Sequence, residues 1–255
     1  MNASDILARY DAEVRASPPA EAGLQHQWVD GVLRETGTYN YIGWWSLADD
    51  QVEVAIRREA TYFRGLGQEV EWKVFSHDRP ASLTSHLAAA GFVPDEAETF
   101  LTFDLDDHGL EAESLPGVEI RRATDEAGLR DYATANGAAF GRSDHPYQQV
   151  DALLPRLHDG SLSIYVAYAD DKPICAGRLE LLADRAFASL YGGGTDPAWR
   201  GCGVYRAVVA ARGAEARSRG LRYLTVDARE TSRPILERLG FQALAQVTGW
   251  VLAVE

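Results

Sequence analysis

From residue 118 onward the apolar positions change period in an orderly succession. VEIRRAT (118–124) alternates and predicts a strand, while DEAGLRDYATANGAAF (125–140), opened by two acids, predicts a helix. A second helix is predicted over QQVDALLPRLHD. Three strand patterns follow, SLSIYVAYA, KPICAGRLELL after a DDK turn and RAFASLYGGGT after an AD turn, and together they predict an antiparallel meander. From Val204 a helical stripe runs through Val204, Ala207, Val208, Ala211 and Ala214, with Arg206, Arg212 and Arg217 off it and Gly220 at its end. RYLTVDA reads as a strand, SRPILERL as a short helix stopped by Gly240, and ALAQVTGWVLAV as two strands or one bent strand. The order β-α-α-β-β-β-α-β-α-β predicts an α/β fold of the α+β kind, built on a mixed sheet.

Before this block, DLDDHGLEAESLPG (104–117) breaks every period with acids, Gly, Ser and Pro, so a linker is expected there. The domains predicted are 1–107 and 117–255. The first repeats the end of the second. Gly91-Phe92 and Gly240-Phe241 lie 149 residues apart, and the same offset sets Leu87 on Leu236. EWKVF then matches RYLTV, and TFLTFDL matches GWVLAV, in the same order. A truncated, diverged second copy is the expectation.

Arg-Gly-x-Gly occurs twice. RGLG (64–67) closes the helical stretch VEVAIRREATYF, which puts its glycines at the partly negative end of a helix. RGCG (200–203) precedes a helix, where N–H groups from Cys202 to Tyr205 and the positive end of the macrodipole favour an anion. Gly201 and Gly203 let that anion come close, and Arg200 adds charge at the rim. A dinucleotide fingerprint fits poorly, because Arg206 stands at the third glycine position and PAWR separates the loop from the strand end. A bare strand-to-helix turn is the plainer reading of the loop alone.

Taken together, GGGTDPAWRGCGVYRAVVAAR and SRPILERLGF resemble the GNAT N-acyltransferase superfamily over residues 117–255, in its order and spacing. The resemblance implies a GNAT-like acyl-CoA fold, in tandem with a partial amino-terminal copy. It also implies acetyl-CoA as co-substrate: Gly193, Gly194 and Thr195 would end a strand splayed from its neighbour beside the pantetheine arm, and Arg200, Gly201, Cys202, Gly203, Val204 and Tyr205 would take the pyrophosphate. A run of three glycines agrees, since it weakens strand pairing and frees backbone groups. Two positions depart from the family pattern. Tyr205 stands where many members have Gly or Ala, crowding the flank of the loop, and Leu236 stands where a tyrosine often protonates the departing thiolate.

Glu180 and Tyr191, on the two central strands, are therefore the first candidates for base or proton relay, against a surface carboxylate and a core tyrosine as the plain alternatives. Ser232 could donate to sulfur, or only cap SRPILERL; Asp227 could orient substrate, or only cap a turn. Cys202 lacks a nearby base and supplies only its N–H. FGRSDHPYQQ, with Phe140, Arg142, Asp144, His145 and Tyr147, could shape the acceptor site or be a surface loop. In the first half the equivalent loop reads SLADDQVEVAI, where Asp49 and Asp50 would repel pyrophosphate and satisfy the helix start, so one cofactor site is expected.

Composition trims the remaining possibilities. The 255 residues are 46% hydrophobic, enough for one large core or two modest ones, and no run approaches the roughly 20 apolar residues of a membrane span. A net charge of −13 argues against sequence-independent nucleic-acid binding. The two cysteines, Cys175 and Cys202, and the six unclustered histidines give no disulfide framework and no metal site. The expectation is a cytoplasmic acyl-CoA-dependent N-acyltransferase, monomer or homodimer, moving acetyl directly to a primary amine of a small molecule or peptide through a tetrahedral intermediate. An inactive acyl-CoA-binding sensor or scaffold is the alternative, motivated by Leu236 and the diverged half.

Overall fold

The computed structural model describes residues 2–21, 23–107, 109–110, 114–141, 148–182 and 184–254. The chain opens with α1 (Ala3–Tyr10), continued by a π-helical turn (Asp11–Arg15), then β1 (Leu24–Val29), β2 (Val32–Gly37), β3 (Tyr41–Trp45), α2 (Val52–Leu66) and β4 (Val70–Phe75). Next come α3 (Leu83–Ala89), β5 (Val93–Pro94), β6 (Glu98–Asp104), β7 (Val118–Arg122), α4 (Glu126–Phe140) and α5 (Gln148–Asp159). The remainder is β8 (Leu162–Ala169), β9 (Lys172–Leu181), β10 (Phe187–Thr195), a short 3-10 helix (Pro197–Trp199), α6 (Val204–Ser218), β11 (Tyr223–Ala228), α7 (Arg233–Arg238) and β12 (Gln242–Leu252). After residue 117 the observed order is the predicted one, and ALAQVTGWVLAV forms a single strand.

Two compact units emerge. One holds the chain up to Phe100 with Ala228–Glu230 and everything from Ala243 onward. Its β1–β2 hairpin turns on Asp30-Gly31, both at positive φ (41° and 84°), as a two-residue Asp-Gly hairpin loop requires. β3 runs parallel to β4, and β12 runs antiparallel to β4 with Val247–Leu252 opposite Phe75–Val70. Trp45, Ile56, Phe63, Trp72, Leu87 and Leu252 share one core there. A second domain running from 117 to 255 was expected, but pairing with β4 groups the last strand with the first unit.

The second unit holds Leu101–Asp227 and Thr231–Gln242, with strands in the order β6-β11-β10-β9-β8-β7. β7 to β10 pair antiparallel, and β10 and β11 are parallel. Helices α4 and α5 bury Leu129, Tyr132, Leu153 and Leu157 against Leu162, Ile164 and Val166 of β8. On the opposite face Val204 and Val208 of α6 meet Ala167, Ala169 and Cys175. The predicted α6 stripe needs correction, because Arg212 is buried (1% exposed) and Ala214 is exposed. The arginine fits because Nε donates to the Val208 carbonyl, Nη1 donates to the Arg178 carbonyl, and Gly177 leaves the space its guanidinium fills.

Two consequences are measurable. Gly128 lies in the first turn of α4, where a Cβ would come within 2.7 Å of Ala123 Cβ and 2.9 Å of its Cα. Alanine favours helices over glycine by about 1 kcal/mol, but overpacking against fixed backbone costs about 1–3 kcal/mol, so Gly128→Ala is expected to destabilise. A higher midpoint in chemical denaturation would contradict this packing. The second concerns Glu35 on β2, whose carboxylate faces His26 at 3.1 Å and is pushed from 4.5 up to about 7 by burial and then by the charge of Glu21. The folded state thus holds this proton more tightly than the unfolded chain does, and stability falls as pH rises from 4.5 to about 7, levelling above that. Glu35→Gln should gain on the wild type across that window; a constant difference at all pH values would remove the assignment.

Candidate active site

The parallel pair at the centre of the second unit is hydrogen-bonded for only three positions. Phe187, Ala188 and Ser189 of β10 match Tyr223, Leu224 and Thr225 of β11, and beyond them the strands part. A hydroxyl pair closes the fork, Ser189 Oγ lying 2.8 Å from Thr225 Oγ1. On its other edge β10 stays paired with β9 to Thr195, through a bulge between Tyr191 and Gly194. An extra residue there leaves backbone groups of β10 outside the ladder.

The glycines of this strand are set by close packing. Gly192 sits at φ +55°, and a Cβ on it would lie 2.5 Å from the Tyr132 hydroxyl; its carbonyl accepts from Asn136 Nδ2 at 2.8 Å. A Cβ on Gly193 would meet the Tyr205 ring at 3.0 Å, and one on Gly194 would meet Ala139 Cβ at 2.6 Å. Helices press on β10 from both faces, so weak pairing, the sequence-based reason for the run, is not the cause: pairing with β9 survives it.

After β10, Asp196 Oδ1 accepts from Ala198 N–H and starts the 3-10 turn. Gly201 and Gly203 then adopt φ of 79° and 83°, where L side chains are strained, and Gly203 is the N-cap of α6. No side chain caps this helix, so its first N–H groups and positive dipole face outward, and a Cβ at Gly201 would meet nothing within 4 Å. Buried Val204 anchors the first turn. Arg200 departs from the expected rim position: Nη2 donates to the Ala139 carbonyl and Nε to the Thr195 carbonyl, tying the loop to α4 and to the end of β10. Arg206, passed over in the sequence, brings a guanidinium nitrogen to 3.3 Å from where a Cβ on Gly203 would be. Tyr205 does not crowd the loop, because its ring turns inward against Gly193, and burial raises its phenol pKa. Thr195 Oγ1 donates to buried Cys175, whose thiol burial pushes up to about 11, while the Cys202 thiol is exposed.

Glu180 and Tyr191 are brought to the bulge region on adjacent strands. Glu180 is no surface carboxylate: it is buried and ion-paired to Arg156 of α5, with Arg178 at 3.8 Å. Nor is Tyr191 a core residue, being 40% exposed with its ring 5.9 Å from the Arg178 guanidinium carbon. Ser232 is half-buried before α7 and its side chain makes no cap bond, which corrects the capping alternative. Asp227 is half-buried near the end of β11. Leu236 is wholly buried, so a hydroxyl there would enter the core. Arg142, Asp144, His145 and Tyr147 lie outside the described residues, whereas Phe140 is exposed beside Gly194. In the first unit α2 begins at Gln51 without a side-chain cap, so Asp49 and Asp50 do not satisfy that helix start as expected. Pattern alone gave no role to Tyr132 and Asn136, one turn apart on α4, to Arg156 on α5 or to Arg206 on α6, and no motif links the three helices.

Among the described residues no group of three His, Cys, Asp or Glu is placed to hold a metal ion, and no helix is long and apolar enough to cross a membrane. No curated protein matches the sequence. Among solved structures the chain is similar to a GCN5-related N-acetyltransferase from Kribbella flavida, at 14% identity and TM-score 0.71, covering 98% of this chain and 93% of that one. A GCN5-related N-acetyltransferase from Sphaerobacter thermophilus matches at 13% identity and TM-score 0.68, over 98% and 91% of the two chains. A tandem GNAT protein from the clavulanic acid biosynthesis pathway matches at 13% identity and TM-score 0.65, over 98% and 93%. At such identities these likenesses establish a shared mixed α/β fold. The family described as an acetyltransferase (GNAT) domain matches residues 110–227, the stretch that contains the parted strands, the bulge and the uncapped helix.

Proposed function

We propose that this protein transfers an acetyl group from acetyl-CoA directly to a primary amine of a small molecule or peptide, working as a cytoplasmic enzyme. The match of residues 110–227 to the acetyltransferase (GNAT) family supports acyl-CoA-dependent acetyl transfer in general. The observation that carries the finer reading is the fork between β10 and β11, opening beside the uncapped start of α6. The cradle fits an acyl-CoA. Gly201, Cys202, Gly203, Val204 and Tyr205 would hold the pyrophosphate through N–H groups, with Arg206 beside them. Gly193, Gly194 and Thr195 would border the pantetheine arm. Arg200 would act by fixing the loop. Bound acetyl-CoA supplies an activated acyl group; the chain supplies position and proton handling. The acceptor amine gains the acyl carbon and gives up a proton as the C–S bond breaks, and the sulfur leaves as free thiol.

Tyr191, the more exposed of the two candidates, would relay the amine proton, with Glu180 behind it as the carboxylate held by Arg156. Ser232 is the remaining donor toward sulfur. A thiol with a pKa of about 8.5 leaves readily, so the lack of a tyrosine at 236 is a modest handicap. We also propose that the first 107 residues descend from the same fold as a truncated copy. Phe92 N–H donates to Leu87 O at 3.0 Å and Phe241 N–H to Leu236 O at 3.1 Å, the same bond at the same sequence offset. The buried Leu236 and ion-paired Glu180 favour one competing reading, a catalytically inactive acyl-CoA sensor or scaffold.

Gly203→Glu should abolish acetyl-CoA binding in a folded protein, because the added carboxylate meets pyrophosphate charge directly. Gly203→Asn, which tolerates the left-handed backbone without charge, should retain it. Calorimetric affinity unchanged in the Glu variant would move the site elsewhere. Titration should give one equivalent of acetyl-CoA per chain, since the loop before α2 lacks Arg-Gly-x-Gly, and thiol release should follow on adding an amine. Two equivalents would contradict the single site; saturable binding without turnover on any amine would favour the sensor.

A further inference from the structure

The first unit has a strand fork of its own. β3 and β4 pair at Tyr41 with Glu71 and at Ile42 with Trp72, and beyond these positions the strands part. On its other edge β3 stays with β2 through a bulge, Tyr41 standing opposite Glu35 and Trp44 opposite Leu33. β10 in the second unit follows the same plan, with a bulge from Tyr191 to Gly194 and release from β11 after Ser189. Gly43 lies inside the bulge and past the last pair with β4, so among the described residues it is matched to none in either ladder. A buried carbonyl in such a place needs a donor from elsewhere.

The donor comes from the π-helical turn that continues α1. Its last residue, Arg15, is buried (5% exposed), and Nε donates to the Gly43 carbonyl at 3.2 Å. Nη1 and Nη2 donate to Asp78 Oδ1 and Oδ2 at 2.9 and 2.7 Å, and Nη1 donates also to Asp11 Oδ1 at 2.7 Å. The guanidinium carbon lies 4.0 Å from the centre of the Phe75 ring, 5.1 Å from that of Trp44 and 6.0 Å from that of Trp45. Gly43, Trp44 and Trp45 belong to β3 and Phe75 ends β4, so one guanidinium touches both parted strands. Burial would lower the pKa of Arg15, but the hydrogen bonds and charge of Asp78, then those of Asp11, carry it above the ordinary guanidinium value. Carboxylates at the edge, a strand carbonyl and aromatic faces make a shell for a planar cation.

We propose that the fork of the first unit is a guanidinium-binding site whose occupant is the chain's own Arg15, an internal ligand that ties α1 to the parted strands and closes the fork to other molecules. The site uses no residue of the second unit and stands apart from the acetyl-transfer reading. Its chemistry sets what it accepts once vacated: a flat cation that donates to Asp78 as a bidentate pair and to Gly43 from the same plane. An ammonium group brings the charge without that geometry. Ile6 and Tyr10 of α1 are buried, with the Tyr10 ring 4.5 Å from that of Phe100, so apolar contacts keep α1 and Asp11 in place when the guanidinium is removed.

The test uses the full chain and methylguanidinium at millimolar concentration, with methylammonium as the control for charge. Arg15→Ala should lower the thermal midpoint by about 5 °C or more, and Arg15→Lys should recover only part of that loss. Methylguanidinium should raise the midpoint of Arg15→Ala and give a saturable change in its tryptophan fluorescence, through Trp44 and Trp45, while leaving the wild type unmoved. An Arg15→Ala chain that folds only when methylguanidinium is present supports the site equally. A second measurement needs no alanine variant: in the wild type the Arg15 Nε–H resonance, assigned by its loss in Arg15→Lys, should exchange slowly with water at neutral pH. The proposal is overturned by an unchanged midpoint in Arg15→Ala, by a loss that neither cation restores or that methylammonium restores as well, by equal methylguanidinium binding to the wild type, or by fast exchange of the Arg15 Nε–H.

Discussion

A side chain at Gly192, Gly193 or Gly194 would collide with a helix, with α4 at the first and third and α6 at the second. Backbone alone fits between those two surfaces, and the strand accommodates them by bulging between Tyr191 and Gly194. The bulge keeps β10 on β9, while β11 is released after Thr225. Parallel strands released from each other leave polar groups that need partners, and the cleft between them is a natural place for a ligand with amides of its own. The same close approach brings the Ala139 carbonyl within reach of Arg200, which binds the glycine loop in place at the head of α6.

Electrostatics separate the two edges of the domain. At the head of α6, glycines in left-handed conformations expose N–H groups, and the anion would be met by partial charges and by Arg206. Under α4 and α5 the charges are whole guanidinium groups withdrawn from water. Arg212 of α6, on the opposite face, shows the cost of burying a guanidinium: desolvation lowers its pKa, and Tyr205, Cys175 and Tyr132 oppose that effect only in part. Burial in turn raises the pKa of the Tyr132 phenol, and the neighbouring guanidinium groups work against that rise. Groups arranged in this way hold position without solvent relaxation.

The proposed duplication gives the two halves a shared grammar with different chemistry. Each has a helix ended by a glycine at large positive φ and followed by a buried phenylalanine, Gly91-Phe92 and Gly240-Phe241. Each has a parallel strand pair with a helix between its members, β3 and β4 around α2, β10 and β11 around α6. What differs is the entry to that helix. Gln51 begins α2 in ordinary helical geometry after two aspartates, whereas Gly203 begins α6 at φ 83°. The first arrangement sets aspartates where the second sets a left-handed glycine turn.

The order of elements after residue 117 was legible because each segment buries one face and carries its own punctuation: two acids before α4, glycines before α6, Gly240 after α7. The glycine loop was legible for the same reason, since helix polarity is local and decides which Arg-Gly-x-Gly can meet an anion. Other features answer to contacts between residues far apart in sequence. The partner of the last strand depends on β4, some 180 residues earlier in the chain. The burial of Arg212 depends on a missing side chain at Gly177 and a carbonyl at Arg178, so helical periodicity placed it with the solvent face. Tyr205 pointed inward, and Glu180 was drawn into an ion pair by Arg156, from a helix whose sequence carries no sign of that role. The sequence by itself determined secondary structure and the position of the glycine turn at the head of α6, because both follow from backbone conformation and local charge. Only the tertiary structure decided which side chains meet at the bulge, because burial and pairing energies belong to neighbours in space that no period along the chain records.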